Sequence, residues 1–329
     1  MIFITGCNGL IGSFIAKKFI DEGFCVRALK RANSDISLLG EYASQIDWIE
    51  GDILDVSILD QALKGITTVV HSAAIVSYAP SQYDTIYKVN VEGTANMVNA
   101  AINNNVKNFC MISSVAAFGK NPKIAIVNEK AHYSDSAFSS NYGKSKFLAE
   151  QEVYRGKEEG LNVFMVNPTV VLGPGDWQRS SSAIFKYVKE ENIFFSQGFV
   201  NYVDVRDVAY VVYRLVANPV GINGEKFIVN AGKVTYQELF GAIAEQFKVK
   251  KPKFEAGPFL AGLAWRVEYL KSIFTSKDPI ITKESVKLSN SRFFYENQKV
   301  RNHLNMEFRS LEETLTWTCR EFEKKYSFN

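Results

Sequence analysis

Apolar residues gather in short runs along the first half of the chain, separated by stretches of helical spacing. IFI at 2–4, CVRAL at 25–29, IDWIE at 46–50, TTVVHS at 67–72, NFCMIS at 108–113 and LNVFMVN at 161–167 read as strands. LIGSFIAKKFIDE, at 10–22, puts Ile11, Phe14, Ile15 and Phe19 at helical spacing, and Gly23 ends that helix. Further helical patterns fall at 55–63 and 83–103. Strands apolar on both sides, alternating with helices, predict a parallel sheet covered on both faces: an α/β, doubly wound fold.

After Pro168 the rhythm changes. LGPGDWQRSSSA (172–183) reads as a loop, NYVDV (201–205) as an extended stretch, 207–217 as a helix, KFIVN (226–230) as a strand and TYQELFGAIAEQF (235–247) as a helix. The C-terminal third is less regular. The division expected is a sheet domain over 1–170, to which 201–231 returns, and a smaller mixed cap from 171–200 and 232–329.

Composition narrows the classes. The 329 residues are 47% hydrophobic and 22% charged, an ordinary globular balance with room for a large core. A net charge of +3 without a Lys/Arg block does not suggest nucleic acid. Three His and four widely spaced Cys suggest neither a metal site nor a disulfide framework, and reduced thiols of a cytoplasmic protein are expected. The MIFITG start reads as a strand, not a signal peptide. No run reaches the ~18 unbroken apolar residues of a membrane span. The nearest, FLAGLAWRVEYLKSIF (259–274), is interrupted by Arg266, Glu268 and Lys271 and reads as an amphipathic helix, packed on the core or serving as a lid or interfacial contact.

The first turn, TGCNGLIG, sets Gly6, Gly9 and Gly12 three apart between a strand and a helix. Glycines permit a tight turn and close approach of a diphosphate, and the helix start offers unpaired N–H groups. Gly6, Asn8, Gly9, Leu10, Ile11 and Gly12 are the candidate diphosphate contacts, which makes the sheet a Rossmann-type one. Where strand two ends, VRALKRANSD carries Arg27, Lys30 and Arg31 and no carboxylate before Asp35. An acidic residue there would receive a ribose 2′-hydroxyl, whereas cations accommodate a 2′-phosphate. Lys30 and Arg31 therefore favour NADP(H) over NAD(H). Asp52 and Ile53, in GDILD, are placed against the adenine, unless Asp52 caps the helix beginning near Asp55. The small Ala73 and Ala74 let the dinucleotide cross the strand ends, and His71 reads as a packed strand-end residue.

NYGKSKFLAE (141–150) places Tyr142 and Lys146 at i and i+4, on one helical face. A phenol with a pKa near 10 is a poor acid–base group at neutral pH, and a nearby ammonium favours the phenolate. Ser113 and Ser114 end strand five, at the carboxyl edge where such sheets bind ligands. A hydroxyl there can hydrogen-bond a substrate carbonyl.

TGCNGLIG, GDILD, HSAA, KVNVEGTANMV, ISSVAAFG, YGKSK and VNPTVVLGPG, with weaker matches in NYVDVRDVA and FYENQKVRNHL, resemble the extended short-chain dehydrogenase/reductase superfamily. The resemblance implies a catalytic group of Ser114, Tyr142 and Lys146. Ser114 is preferred to Ser113 because it lies five residues before Gly119. It also implies that Lys146 binds the nicotinamide ribose, that Asn90 supports the site, and that the chain after Pro168, including Val171, contacts the nicotinamide. A homodimer through helices near 83–103 and 141–158 is implied as well. Cys7 stands where the family usually has a smaller residue.

VRALKR and NPTVVLGPG look most like the dihydroflavonol-4-reductase-like branch, which reduces a ketone to an alcohol with NADPH. The expected function is thus an NADP(H)-dependent oxidoreductase acting on the carbonyl of a small organic substrate, with Tyr142 as acid/base. The alternatives are a nucleotide-sugar epimerase or dehydratase with tightly bound NAD, and a non-catalytic dinucleotide-sensing protein. Trp177, Phe194, Phe195, Tyr202 and Trp265 suggest an aromatic-lined pocket, or core packing.

Overall fold

The structure is a computed structural model, and residues 1–119, 126–133, 140–257 and 293–326 are described. Strands β1 (Ile2–Thr5), β2 (Val26–Lys30), β3 (Ile46–Glu50), β4 (Thr68–His71) and β5 (Asn108–Ile112) are followed by the short β6 (Ile126–Val127), then β7 (Asn162–Pro168). β8 (Val170–Leu172), β9 (Phe194–Ser196), β10 (Phe199–Asp204), β11 (Glu225–Val229), β12 (Gly232–Thr235), β13 (Phe254–Ala256) and β14 (Phe294–Tyr295) complete the set. The large sheet runs β3-β2-β1-β4-β5-β7-β11, all pairs parallel. Strand order reverses between β1 and β4, so the ligand crevice of such a sheet opens beyond their carboxyl ends.

Side chains alternate across each central strand and fill two separate cores. Ile2 and Ile4 of β1, Cys110 and Ile112 of β5, and Phe164 and Val166 of β7 enter one. Phe3, Phe109, Met111, Val163 and Met165 enter the other. Helix α1 (Leu10–Asp21) lies over the first core. The second is covered by α2 (Val56–Ala62), the segment through α3 (Tyr83–Tyr87) and α4 (Gly93–Asn103), and α5 (Asn141–Glu158). Burial on both faces is why these strands carry continuous apolar runs.

The helix predicted over 83–103 is interrupted. Lys88–Glu92 forms a π-turn between α3 and α4, and it carries the buried Asn90. The stretch 172–183, read as a loop, begins at the end of β8 and closes in a tight turn, Ser180–Ser182, that leads into α6 (Ala183–Lys189).

Within 201–231, helix α7 (Val205–Ala217) packs on α1 through the first core, and β11 joins the large sheet. β10 instead lies between β8 and β12 in a second, mixed sheet. That sheet packs with α6, α8 (Tyr236–Phe247) and the C-terminal helix Leu311–Tyr326 around a third core. The C-terminal helix was missed in the sequence. Its buried Thr314, Leu315, Thr318, Cys319 and Phe322 are at helical spacing.

Candidate active site

The glycine turn joins β1 to α1 at the strand ends. Gly6 has φ +67°, and a Cβ there would meet the Ala73 backbone nitrogen at 2.7 Å. A Cβ at Gly12 would lie 2.1 Å from the Gly6 carbonyl oxygen. These two glycines are required by the protein's own packing. Gly9 differs: its added Cβ would meet only the Gly6 oxygen, at 3.3 Å. Gly9 is also the N-cap of α1 with no side-chain cap, and the first turn holds no acidic residue. By contrast Asp55, Ser140, Asp204 and Thr235 cap α2, α5, α7 and α8. The amides at Leu10, Ile11 and Gly12 thus form an electropositive end suited to a diphosphate.

The three cations at strand two separate. Arg27 turns away: its Nε donates to Asp47 at 2.6 Å, and its guanidinium also reaches the carbonyls of Ala62 and Lys64. Lys30 Nζ lies 3.8 Å from a carboxylate oxygen of Glu50, its register partner on β3. Arg31 is exposed and its guanidinium has no partner among the described residues. Asp52 accepts from the Leu54 amide at 3.0 Å, while Asp55 is the residue that caps α2. Ile53 is buried, with its side chain where a Cβ on Gly93 would fall.

Behind β4, Thr5 Oγ1 receives the amides of Ser72 and Ala73 and bonds His71 Nδ1 at 2.8 Å; Ala74 follows on the same strand end. His71 Nε2 bonds Thr94 Oγ1, and burial pushes the imidazole down to about 3, so it is neutral. Asn90 Oδ1 accepts from the Ile75 amide at 2.8 Å, and its Nδ2 donates to the Ile75 carbonyl and to Ser145 Oγ. Ser145 donates in turn to the Tyr142 carbonyl, so Asn90 braces the chain beyond β4 and the start of α5 together.

Tyr142 and Lys146 are both buried on α5, and the Ser114 side chain hydrogen-bonds the Tyr142 phenol. Gly143 allows this approach, for a Cβ there would lie 2.6 Å from the Ala116 carbonyl oxygen. Ser114, two residues beyond β5, is in extended conformation at the start of a tight turn, and its Oγ also accepts from the Ala116 amide. Ser113 points elsewhere, donating to Glu150 at 2.6 Å.

Lys146 Nζ donates to the Ile112 carbonyl at 2.9 Å. Burial lowers it to about 8, against the opposing pull of Glu150. Same-face spacing predicted a phenol lowered by this ammonium. The phenol is instead raised, by burial first and then by Tyr78, with Ser114 opposing. The loss of hydration sets the direction, and the lysine head is engaged by a carbonyl of β5. A phenol so held keeps its proton at neutral pH.

Sequence reasoning missed Tyr78, whose ring meets Tyr142 edge-on at 6.1 Å and whose phenol also disfavours ionisation of Tyr236 and Tyr295. These residues are dispersed in sequence, with no spacing to join them. Of the aromatic residues expected to line a pocket, Trp177, Phe195 and Tyr202 are packed in the third core, and Phe194 is exposed against Phe254. Core packing accounts for those three. Trp265 and the 259–274 segment lie outside the described residues. Pro168 ends β7 and Val171 is buried on β8, both beside the strand ends. Among the described residues no His, Cys, Asp and Glu group could hold a metal ion, and no helix is long and apolar enough to cross a membrane.

The glycine turn ahead of α1 and the cluster of Ser114, Tyr142 and Lys146 both lie at the carboxyl edge of the doubly wound sheet, and the protein is an NAD(P)-dependent oxidoreductase of the short-chain type. The chain belongs to the NAD dependent epimerase/dehydratase family, whose model matches residues 2–232. It is 28% identical over 309 residues to sterol demethylase protein B of Methylococcus capsulatus, covering 92% of each chain. It is 26% identical over 328 residues to a putative dihydroflavonol 4-reductase of Synechocystis, covering 98% of this chain and 94% of the relative. Among solved structures, the crystal structure of gox2253 superposes with a TM-score of 0.84 at 28% identity, covering 100% of this chain and 99% of that one.

Proposed function

We propose that this protein interconverts a ketone or aldehyde with the corresponding alcohol on a small organic substrate, using NADP(H). The hydrogen bond from Ser114 to the buried Tyr142 phenol supports the reading most, because an acid and a second donor side by side suit one substrate oxygen. Gly9, the first amides of α1, Asp52 and Lys146 are suited to hold the dinucleotide, which supplies or accepts the hydride when bound. Tyr142 gives its proton to the substrate oxygen in reduction and takes it back in oxidation. Ser114 hydrogen-bonds the same oxygen and steadies the charge that develops there. Lys146, still charged at neutral pH, holds the ribose edge and favours the phenolate left after proton transfer.

Arg31, exposed and unpaired among the described residues, supports NADP(H), and Glu50 beside Lys30 leaves Arg31 as the main contact for a 2′-phosphate. The relatives named for sterol and dihydroflavonol chemistry support an apolar, ring-bearing substrate. Segments 171–200 and 232–329 are proposed to supply its remaining contacts. Tyr142→Phe tests the reading: turnover in a carbonyl panel, followed by NADPH absorbance, should vanish while NADPH binding persists. Retained turnover refutes the assignment.

A further inference from the structure

One buried carboxylate near the site has no part in that chemistry. Glu150 lies on α5 one turn beyond Lys146 and two beyond Tyr142, and is 0% exposed. Its Oε1 accepts from Ser113 Oγ at 2.6 Å and from Asn167 Nδ2 at 2.7 Å. Its Oε2 accepts from Lys226 Nζ at 2.5 Å. The same Asn167 Nδ2 donates to the Ser114 carbonyl at 3.1 Å. Lys226 arrives from β11, its ammonium lying against the rings of Phe118 and Tyr154.

A buried carboxylate paired with a half-buried ammonium is a poor means of gaining stability, since apolar side chains of similar volume often serve as well or better. What distinguishes this pair is the identity of its donors. One is the hydroxyl of the residue before Ser114. The other is an amide that also grips the Ser114 carbonyl.

We propose that Glu150, braced by Lys226, is a positioning residue of the active site: it fixes the Ser113–Ser114 turn against α5 and keeps an anion one helical turn from Lys146. This rests on the reading of the site given above. Glu150 faces Lys226 from β11, Asn167 from β7, Ser113 just after β5 and Tyr154 on its own helix, whose phenol burial pushes up to about 12. Lys146 faces Glu150 on α5, the neutral His71 of β4 and the Ile112 carbonyl of β5. Of the charged groups about Lys146, Glu150 therefore acts to hold its proton.

The test is the NADPH dissociation constant, read by nicotinamide fluorescence across roughly pH 6.5 to 9.5, a range that brackets the lysine titration. Wild-type affinity should fall as pH rises past about 8, where Lys146 loses its charge. In Glu150→Gln the midpoint should move down by roughly one unit, the scale of a charge one turn away at protein-like screening. In Lys226→Gln it should move up, since a like charge is gone while the Ser113 hydroxyl and the Asn167 amide still hold the carboxylate ionised. This second variant keeps the test decisive if Glu150→Gln folds poorly. Equal weakening at every pH with unmoved midpoints, or a flat wild-type profile, would overturn the proposal. A wild type that binds neither NADPH nor NADH overturns the reading of the site itself, and the proposal with it.

Discussion

The close contact of α5 with the serine loop makes Gly143→Ala a sharp perturbation. The new Cβ would lie 2.6 Å from the Ala116 carbonyl oxygen, so helix and loop must part by about 0.8 Å to reach the 3.4 Å of ordinary contact. The neighbour is backbone and cannot rotate aside. Overpacking of this kind costs about 1–3 kcal/mol, and alanine returns up to ~1 kcal/mol over glycine inside a helix. The melting temperature should therefore fall only modestly. The Ser114–Tyr142 hydrogen bond spans this same gap, and a 1 Å misplacement of reacting groups can cost on the order of 10²-fold in rate. The assay is kcat on a carbonyl found by screening, with NADPH binding and thermal denaturation measured on the same sample. Turnover should drop about a hundredfold with NADPH affinity nearly unchanged. A variant as active as wild type would show that the serine and tyrosine need not be held at this separation.

Arg31→Glu should raise the Michaelis constant for NADPH by ~10- to 100-fold, the scale of a charge-assisted hydrogen bond, and leave that for NADH almost unaltered; equal effects on both cofactors would refute the preference. His71 gives a pH effect of known sign. Its folded value of about 3 lies below the ordinary 6.5, so the unfolded chain takes up a proton that the folded one refuses. Stability should fall as pH drops below about 6.5, by up to ~1.4 kcal/mol per unit, and denaturant melts of wild type and His71→Gln should differ in that slope. Matching slopes would place the acid sensitivity elsewhere.

The large sheet was legible in the sequence because its strands are buried on both faces and so carry unbroken apolar runs. The glycine turn and the Tyr142–Lys146 spacing were legible because chemistry that depends on one local element leaves a local pattern. What failed to appear is what the fold assembles across strands. Glu50 reaches Lys30 only through the register of β2 and β3, so the end of strand two by itself shows no carboxylate. Lys226 meets Glu150 from a strand 76 residues away. The π-turn under Asn90 has no hydrophobic signature, since one extra residue in a turn barely disturbs the period. Glu150 itself was within reach: it continues the i, i+4 series of Tyr142 and Lys146 by one step. The third core took Trp177, Phe195 and Tyr202 because the second sheet needs large side chains to pack against its helices.

The path of the chain between β7 and β11 governs how proteins built this way can trade parts. The last strand of the large sheet is laid down only after the chain has left to form β8 and β10 of the other sheet. A single recombination joint at residue 170 would strip the sheet of an edge, α1 of the helix packed on it, and Glu150 of its lysine. With the substrate role proposed for 171–200 and 232–329, exchanging those segments between relatives requires two grafts, with the stretch between them kept. The joints must also rebuild the pairing of β10 with β8 and β12. On that proposed role, specificity is inherited in two pieces that must match each other.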